Sequence, residues 1–376
     1  MMDDTISHSI ASQVPQEQAR QSACRLDLNR ENRGECFSND PLELCPCPID
    51  PILRAEIACR PLQLLDQIMH TAIRSALKSR VLDVFRLSLK SGLIVLPKHY
   101  YAPVADINEL ARTRKTWAKR SHMPGVAMDL NEQINFLRDR ILPFQSEYLG
   151  NRTYIDGTRS GFGPGFGFLE AQAYHGFLRS MKPKRIVEVG SGVSTHCAIA
   201  ATKMNTSETG EATEIICIEP NPSPFIRGSK DITVRASRVE EVPVELFEAL
   251  GEGDLLFIDS THAVRPGGDV IYLYCEVLPR LRPGVRVHIH DIYFPYTYQP
   301  DLLNSLFHWS ESCMLQTLLV NNDRLKILLC MSMLHYDAPD ALKQVFPEYR
   351  RAHSDDGLYG NDPSQHFPTS IYLEVT

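Results

Sequence analysis

The sequence lacks the features of membrane, secreted and nucleic-acid-binding proteins. None of its apolar runs approaches the roughly 18 residues that a membrane-spanning helix needs, and its acidic, polar N-terminus does not resemble a signal peptide. Its 39 Lys and Arg residues are outnumbered by 46 Asp and Glu residues, giving a net charge of −7, whereas nucleic-acid partners call for a concentrated basic surface. We therefore expect a cytoplasmic protein without nucleic-acid or membrane partners. The sequence leaves its oligomeric state open, a homo-oligomer included.

Three regions differ in composition. Residues 1–50 contain one aromatic residue and no lysine, and such polar chain cannot bury enough apolar surface to offset its ordering entropy, so we predict a flexible tail. Residues 51–150 carry apolar side chains at spacings of three and four, which predicts a helical N-terminal subdomain. Residues 151–376 alternate short β-rich runs with helical stretches and form the predicted main domain.

Short apolar runs in the main domain predict seven strands. They are Arg185–Val189, Glu214–Ile218, Ile232–Val234, Asp254–Ile258, Val285–His290, Leu325–Cys330 and Ser370–Val375. Helices are expected at 168–181 and 301–320 among others. Continuous apolar strands alternating with helices are typical of a parallel sheet that is covered on both faces. The fold class is therefore α/β, with a doubly wound, mostly parallel seven-stranded sheet.

A glycine turn follows the first predicted strand. Gly190 and Gly192 allow the backbone to bend tightly and approach a ligand, and a helix begins directly after them. Glu219 ends the second strand, where a carboxylate can bind ribose hydroxyls. The order of strand, glycine turn, helix, strand and acid predicts a nucleoside or dinucleotide pocket.

Details of the turn favour S-adenosylmethionine over a nicotinamide cofactor. The dinucleotide fingerprint has a third glycine three residues after the second, and this sequence has Thr195 there. Glu188, just before the turn, would repel a pyrophosphate but can receive an ammonium group. A nucleotide-cofactor dehydrogenase remains the alternative enzyme class.

The motif Glu188-Val-Gly-Ser-Gly192 resembles the first motif of class I S-adenosylmethionine-dependent methyltransferases. The resemblance covers roughly residues 150–376 and implies a Rossmann-like sheet whose last strand is antiparallel. The cofactor-binding residues that it implies are Glu188, Gly190, Ser191, Gly192, Ser194, Thr195, Glu219, Ser237, Arg238 and Asp259. A small-molecule acceptor, methylated on a hydroxyl oxygen, is the expected substrate.

Two carboxylates follow the fourth and fifth strands. Asp259 and Asp291 should meet at one edge of the sheet, because parallel strands end on the same side. Two such acids can chelate a divalent cation, Mg²⁺ or Mn²⁺, which would lower the pKa of a substrate hydroxyl. His290 lies beside Asp291 and is the third candidate ligand.

His262 follows Asp259 by three residues. In metal-dependent O-methyltransferases such as catechol O-methyltransferase a lysine base occupies the corresponding position, and macrolide-sugar O-methyltransferases have a histidine there. The resemblance thus implies that His262 is the general base, with Asp259 and Asp291 as its catalytic neighbours. The sequence departs from the catechol-type pattern at the second metal position, where Asp-Asn is replaced by His290-Asp291. Histidine favours Mn²⁺, Fe²⁺ or Zn²⁺ over Mg²⁺, so metal dependence is left open.

Plainer interpretations remain for several of these residues. His288 alternates with His290 along a strand and is expected to be a core histidine. His262 could cap a helix, and Glu170 could face the site. The aromatic residues of 292–298 could wall a flat substrate or pack against the helical subdomain. The whole domain could also be a non-catalytic S-adenosylmethionine-binding protein.

Overall fold

The computed structural model describes residues 79–96, 98, 101–161, 165–351, 355–358 and 367–376. The chain divides into two compact units, Met1–Val95 and Leu96–Thr376. In the first unit the described residues include a helix at 79–90 (α1), which is followed by Gly92 with a positive φ of 77°. The predicted flexible tail at 1–50, and the part of the predicted helical subdomain before residue 79, lie outside the described residues.

The second unit is built on a single seven-stranded sheet. Its strands are β1 (Arg185–Val189), β2 (Glu214–Ile218), β3 (Thr233–Arg235), β4 (Leu255–Ile258), β5 (Arg286–Ile289), β6 (Leu325–Cys330) and β7 (Ile371–Val375). Their order is β3-β2-β1-β4-β5-β7-β6. Only β7 runs antiparallel, and it lies between β5 and β6. The predicted α/β, doubly wound and mostly parallel Rossmann-like sheet is confirmed.

Helices cover the sheet. They are α2 (Ile107–Trp117), α3 (Leu130–Phe136), α4 (Gln145–Tyr148), α5 (Arg152–Arg159), α6 (Phe168–Met181), α7 (Val193–Thr209), α8 (Pro224–Gly228), α9 (Glu245–Glu248), α10 (Asp269–Tyr272), α11 (Glu311–Leu319), α12 (Met331–Asp337) and α13 (Pro339–Val345). Helices α2 to α4 belong to the same compact unit as the sheet. The domain boundary that we place at residue 150 remains a prediction. Within the described part of the chain, every helix is too short or too polar to cross a bilayer.

Both faces of the sheet are buried in separate apolar cores. Successive strand residues point to opposite faces, so Val187 packs in one core and Ile186 in the other. Both side chains are fully buried. Because the faces are closed, the carboxyl ends of β1, β2, β4 and β5 provide the edge at which polar side chains reach solvent.

The predicted helix at 301–320 is wrong in its first half. The structure has a 3₁₀ turn at Leu302–Asn304 and helix α11 only from Glu311. In the segment between these two elements, the carbonyl of Phe307 accepts from the side chain of Gln299, and the amide of Trp309 donates to the same side chain. These tertiary hydrogen bonds hold the segment out of a helix. Between α3 and α4 the chain forms a π turn at Leu137–Ile141 and a 3₁₀ turn at Leu142–Phe144.

Candidate functional site

The glycine turn ties three strands together at the carboxyl edge of the sheet. Gly190 has φ of +90°, and a Cβ at this position would lie 2.5 Å from the carbonyl oxygen of Asp259. The amide of Gly190 donates to Ile218 O, and the amide of Asp259 donates to Val189 O, each at 3.0 Å. Any larger residue at 190 would therefore displace the backbone that carries Asp259.

Glu188 supports this turn from inside the protein. Its carboxylate is fully buried and accepts hydrogen bonds from Ser194 Oγ at 2.6 Å and Cys217 Sγ at 3.4 Å. Thr195 Oγ1 accepts the amide of Gly192 at 3.0 Å. Burial raises the pKa of Glu188 to about 7, although these hydrogen bonds oppose the rise. The side chains of Glu188, Ser194 and Thr195 thus stabilise the turn from the protein interior. Their proposed contact with a cofactor remains a prediction.

A cleft of about 400 Å³ opens in front of the turn. It is lined by Val189, Gly190, Ile218, Glu219, Pro220, Asn221, Arg238, Val239, Glu240, Asp259, Ser260, Thr261, Arg265 and Asp269. Four predicted cofactor residues are among them, namely Gly190, Glu219, Arg238 and Asp259, whereas Ser191, Gly192 and Ser237 do not line the cleft. Its size is within the range of small-molecule sites.

Four predicted catalytic and metal-binding residues meet beside this cleft. His262 Nε2 lies 3.4 Å from Asp259 Oδ1 and 3.3 Å from Asp291 Oδ2. His290 Nδ1 lies 3.6 and 3.4 Å from the same two oxygens. The two imidazoles are buried, and the two carboxylates are partly exposed at 26% and 16%. The structure therefore brings these four residues together, and their catalytic and metal-binding roles remain predictions.

The residues of this cluster fit a divalent metal ion. One ligand atom each from Asp259, His290 and Asp291 lie within 4.8 Å of one another. His290 Nδ1 is buried, has no hydrogen-bond partner and faces both carboxylates, so a cation that displaces its proton would meet three ligand atoms. Burial alone would lower the pKa of His290, but the carboxylates of Asp291 and Asp259 outweigh it and raise that pKa well above its usual range.

Other side chains, which sequence reasoning did not identify, hold the cluster in place. Glu311 Oε2 lies 2.7 Å from His262 Nδ1, and its side chain is 1% exposed. Tyr293 Oη and Thr369 Oγ1 donate to Asp291 Oδ1 at 3.0 and 3.1 Å. Glu311 and Thr369 come from distant segments and carry no local motif that would have marked them.

Two residues of the cluster have unusual backbone conformations. His262 and Asp291 have positive φ angles of 58° and 56°, in the left-handed region that few residues other than glycine, asparagine and aspartate enter readily. The carbonyl of His262 accepts the amides of Ser310 and Glu311 at the start of α11. Such strained positions concentrate at functional sites, where the surrounding structure enforces them.

The remaining candidates divide between core and site. His288 is fully buried, lies 2.8 Å from Ser370 Oγ through Nε2 and stacks on Tyr372, in agreement with the predicted core histidine. Glu170 is also buried and accepts the amide of Thr369 at 2.8 Å. It therefore contacts the residue that donates to Asp291.

The aromatic residues of loop 292–298 contact both the cluster and helix α2, and their role as a wall for a substrate remains a prediction. Tyr293 adjoins the cluster through Asp291, and its ring is nearly parallel to that of Trp309. Trp309 also lies against His262, with ring centroids 4.7 Å apart. Tyr298 instead packs edge-on against Trp117 of α2.

Comparison with known proteins agrees with this architecture. Residues 187–292 match a family model described as "Methyltransferase domain". This region runs from β1 to just past Asp291 and contains the glycine turn, all of the residues that line the cleft and the four residues of the cluster. A relative in Archaeoglobus fulgidus, an uncharacterized protein, is 29% identical over 206 residues, which cover 50% of this chain and 88% of the relative.

Two solved structures are similar to this chain at low identity. A proposed methyltransferase from Thermobifida fusca is 11% identical, with a TM-score of 0.35 over 69% of this chain and 96% of its own. The 1,6-didemethyltoxoflavin-N1-methyltransferase of Burkholderia thailandensis is 14% identical, with a TM-score of 0.30 over 73% of this chain and 92% of its own. These similarities carry no information on the acceptor. Residues 187–292 of this chain are thus similar to a methyltransferase domain, and this similarity covers the site.

Proposed function

We propose that the protein transfers a methyl group from S-adenosylmethionine to a hydroxyl oxygen of a small molecule. One observation carries the proposal: Asp259 belongs both to the cleft and to the neighbouring cluster of histidines and aspartates. It lines the cleft in front of the glycine turn, and its Oδ1 faces His262 and His290. A methyl donor in the cleft would therefore lie directly beside the residues able to bind and activate an acceptor.

The cleft offers the contacts that such a donor needs. Glu219 ends β2 and lines the cleft, where one of its oxygens accepts the amide of Asn221 and the other is available to ribose hydroxyls. Gly190 allows close approach to the backbone. Donor and acceptor held in this way react by proximity and orientation, so no covalent intermediate with the protein is required.

The cluster supports metal assistance of the reaction. Asp259, His290 and Asp291 would hold a divalent cation, which when bound supplies Lewis acidity that lowers the pKa of an acceptor hydroxyl. Tyr293 and Thr369 occupy Oδ1 of Asp291 and so leave Oδ2 to face the imidazoles. Trp309 and Tyr293 provide apolar surface against which the acceptor can be positioned.

Calorimetry with S-adenosylhomocysteine tests the cofactor assignment without knowledge of the acceptor. We expect binding by the wild-type protein and at least about tenfold weaker binding by Glu219→Gln, because one hydrogen bond to a charged acceptor contributes about 1.5–3 kcal/mol. Glu214→Gln is the matched control, since Glu214 begins the same strand and is exposed at the opposite end. Absence of binding, or binding of NADH in its place, would refute the proposal.

Product analysis distinguishes methyl transfer to oxygen, methyl transfer to nitrogen and a non-catalytic binding role. The protein is incubated with methyl-labelled S-adenosylmethionine and matched sets of hydroxyl and amine acceptors, with and without Mn²⁺ and Mg²⁺. Labelled ether products support transfer to oxygen, and labelled amines would correct the acceptor atom. A protein that binds the cofactor but labels none of the acceptors would point to a non-catalytic binding role.

A further inference from the structure

We propose that Val264, Leu306 and Phe307 form an apolar docking surface, which we call the apolar rim, for the acceptor of the methyl group. The acceptor would accordingly carry an alkyl or aromatic extension beside the hydroxyl that is methylated. The inference rests on the proposed function and names the chemical class of its acceptor.

The three side chains of the apolar rim face solvent. Leu306 is 82% exposed, Phe307 is 72% exposed and Val264 is 40% exposed. By contrast Leu302, earlier in the same loop as Leu306, is buried in a small apolar cluster with Ala118. Single apolar side chains on a surface are ordinary, whereas a group of them marks an interaction site. The apolar rim is therefore a candidate binding surface.

Hydrogen bonds hold the apolar rim in this exposed position. The carbonyl of Phe307 accepts from the side chain of Gln299, which is buried, and from Ser305 Oγ at 3.0 Å. The amide of Phe307 donates to the same Ser305 Oγ at 3.1 Å. The amide of Val264 donates to Ser310 Oγ at 2.9 Å. The apolar side chains are thus presented to solvent by a hydrogen-bonded loop.

The apolar rim adjoins the cluster of histidines and aspartates. Trp309 lies against His262, with ring centroids 4.7 Å apart. Because each residue extends the chain by at most about 3.6 Å, the backbone of Phe307 is within about 7 Å of that of Trp309. Val264 follows His262 by two residues and lies within the same reach. Apolar surface therefore continues from the cluster through Trp309 to the apolar rim.

The dimensions of the apolar rim favour a small molecule as its occupant. One aromatic and two aliphatic side chains offer roughly a few hundred Å² of surface, since a large aromatic side chain alone buries about 150–250 Å². A stable protein–protein interface buries at least about 1,000 Å². The net charge of −7 opposes binding to an anionic membrane surface. An acceptor that is already held at the cluster needs only this small surface for its extension.

A series of 4-alkylphenols tests the inference on the protein saturated with S-adenosylhomocysteine. The probes are 4-methyl-, 4-ethyl-, 4-propyl- and 4-butylphenol, which share one hydroxyl and differ only in the length of the alkyl chain. Each buried methylene group should raise the affinity about threefold to fourfold. We expect calorimetry to show this rise for wild type, and a much smaller rise for the double variant Leu306→Ser/Phe307→Ser.

Leu306→Ser and Leu149→Ser are a matched pair of single variants. Leu149 is 48% exposed and lies between α4 and α5, away from the residues that line the cleft. We expect Leu306→Ser to lower the affinity for 4-butylphenol about threefold or more, and Leu149→Ser to leave it unchanged. A wild-type affinity that does not rise with chain length, or that rises equally in the double variant, would overturn the proposal.

Two further measurements test other occupants of the apolar rim. Sedimentation velocity detects a dimer of the chain, and co-sedimentation with phosphatidylcholine vesicles detects binding to a neutral membrane. Either kind of binding, present in wild type and lost in the double variant, would assign the apolar rim to that partner and overturn its role in acceptor binding. Identical behaviour of wild type and double variant in both measurements supports the proposal.

Binding of S-adenosylhomocysteine, measured on the same samples, separates this inference from the proposed function. The double variant should bind it as wild type does, because its two substitutions lie outside the cleft. A wild-type protein that binds S-adenosylhomocysteine but shows no dependence on alkyl length overturns the apolar rim alone. A wild-type protein that does not bind S-adenosylhomocysteine overturns the proposed function and this inference with it.

Discussion

Two buried polar clusters of this protein are built on opposite principles. In the first, Arg179 of α6 is 2% exposed and donates to Glu147, Glu208 and Asn205. Glu147 also lies 2.7 Å from His175. Every arm of the guanidinium has an acceptor, so this cluster is closed and has nothing left to bind.

The second cluster, formed by Asp259, His262, His290 and Asp291, is open. His290 Nδ1 has no hydrogen-bond partner, and two residues are held at positive φ. Buried polar groups are normally satisfied, so an imidazole nitrogen without a hydrogen bond, beside two carboxylates and a cleft, is a candidate for completion by a ligand. The comparison teaches that two charged and buried clusters of one protein differ in how completely their hydrogen bonds are formed.

Removal of the central residue of the closed cluster should have the largest effect on stability. Arg179→Met removes the buried guanidinium that Glu147 and Glu208 share. We expect a loss of about 3 kcal/mol in the free energy of unfolding, at the low end for buried ion pairs, because Glu208 is 47% exposed and keeps Lys182 Nζ at 3.0 Å. Urea denaturation measures it. Binding of S-adenosylhomocysteine below the unfolding transition should be unchanged, and a weakened affinity would show that the closed cluster serves the site.

The open cluster should respond in the opposite way. Asp291→Asn keeps the shape of the side chain, and asparagine tolerates the left-handed backbone, so stability should change by less than about 1 kcal/mol. Affinity for Mn²⁺ should fall about 100-fold, equivalent to about 2.7 kcal/mol. Calorimetry and denaturation of the same preparation give both values. A variant as destabilised as Arg179→Met would remove the distinction between the clusters.

Glu188 is intermediate between the two clusters. Its hydrogen bonds are formed, but burial makes ionisation of its carboxyl group unfavourable. Its pKa is raised to about 7 from 4.5, so the folded state holds a proton that the unfolded state has released. The stability due to this proton is fully present below pH 4.5 and is lost as the pH rises through 7.

We therefore expect wild type to lose about 2 kcal/mol relative to Glu188→Gln between about pH 5.5 and 8.5. Denaturation at several pH values measures the difference. Glu241→Gln, at an exposed glutamate, should follow wild type at each pH. A constant difference between wild type and Glu188→Gln would show that Glu188 does not titrate in this range.

The smallest expected change in stability comes from the close contact between Gly190 and Asp259. Gly190→Ala and Gly210→Ala both place alanine at positive φ, 90° and 77°, but only at 190 does the new Cβ meet a carbonyl oxygen. We expect Gly190→Ala to be the less stable of the two by about 1–2 kcal/mol, with weaker binding of S-adenosylhomocysteine and Mn²⁺. Equal stability and affinity would mean that the turn adjusts freely.

The sequence predicted the parts of this architecture that depend on local patterns. Strands β1, β2 and β6 and helix α6 have the predicted bounds, because apolar runs that are buried on both faces leave a clear signal. The meeting of Asp259 and Asp291 followed from strand direction alone. Their catalytic and metal-binding roles, like those of the cofactor residues, remain predictions.

The contacts that complete the site could not be predicted in the same way. Glu311 reaches His262 from 49 residues away along the chain, and Thr369 reaches Asp291 from 78 residues away. No periodicity or spacing links such pairs. The segment before α11 was predicted to be helical because its own composition allows a helix, whereas Gln299 and the carbonyl of His262 decide its conformation through the fold.

The position of β7 has a practical consequence. This strand is added last in the chain, yet it pairs with both β5 and β6 inside the sheet, and Thr369 just before it donates to Asp291. A chain cut before Thr369 would lose the pairing of β5 with β6 through β7 and the hydroxyl that donates to Asp291 in one step. We therefore expect truncation at this point to disrupt the sheet and the cluster together.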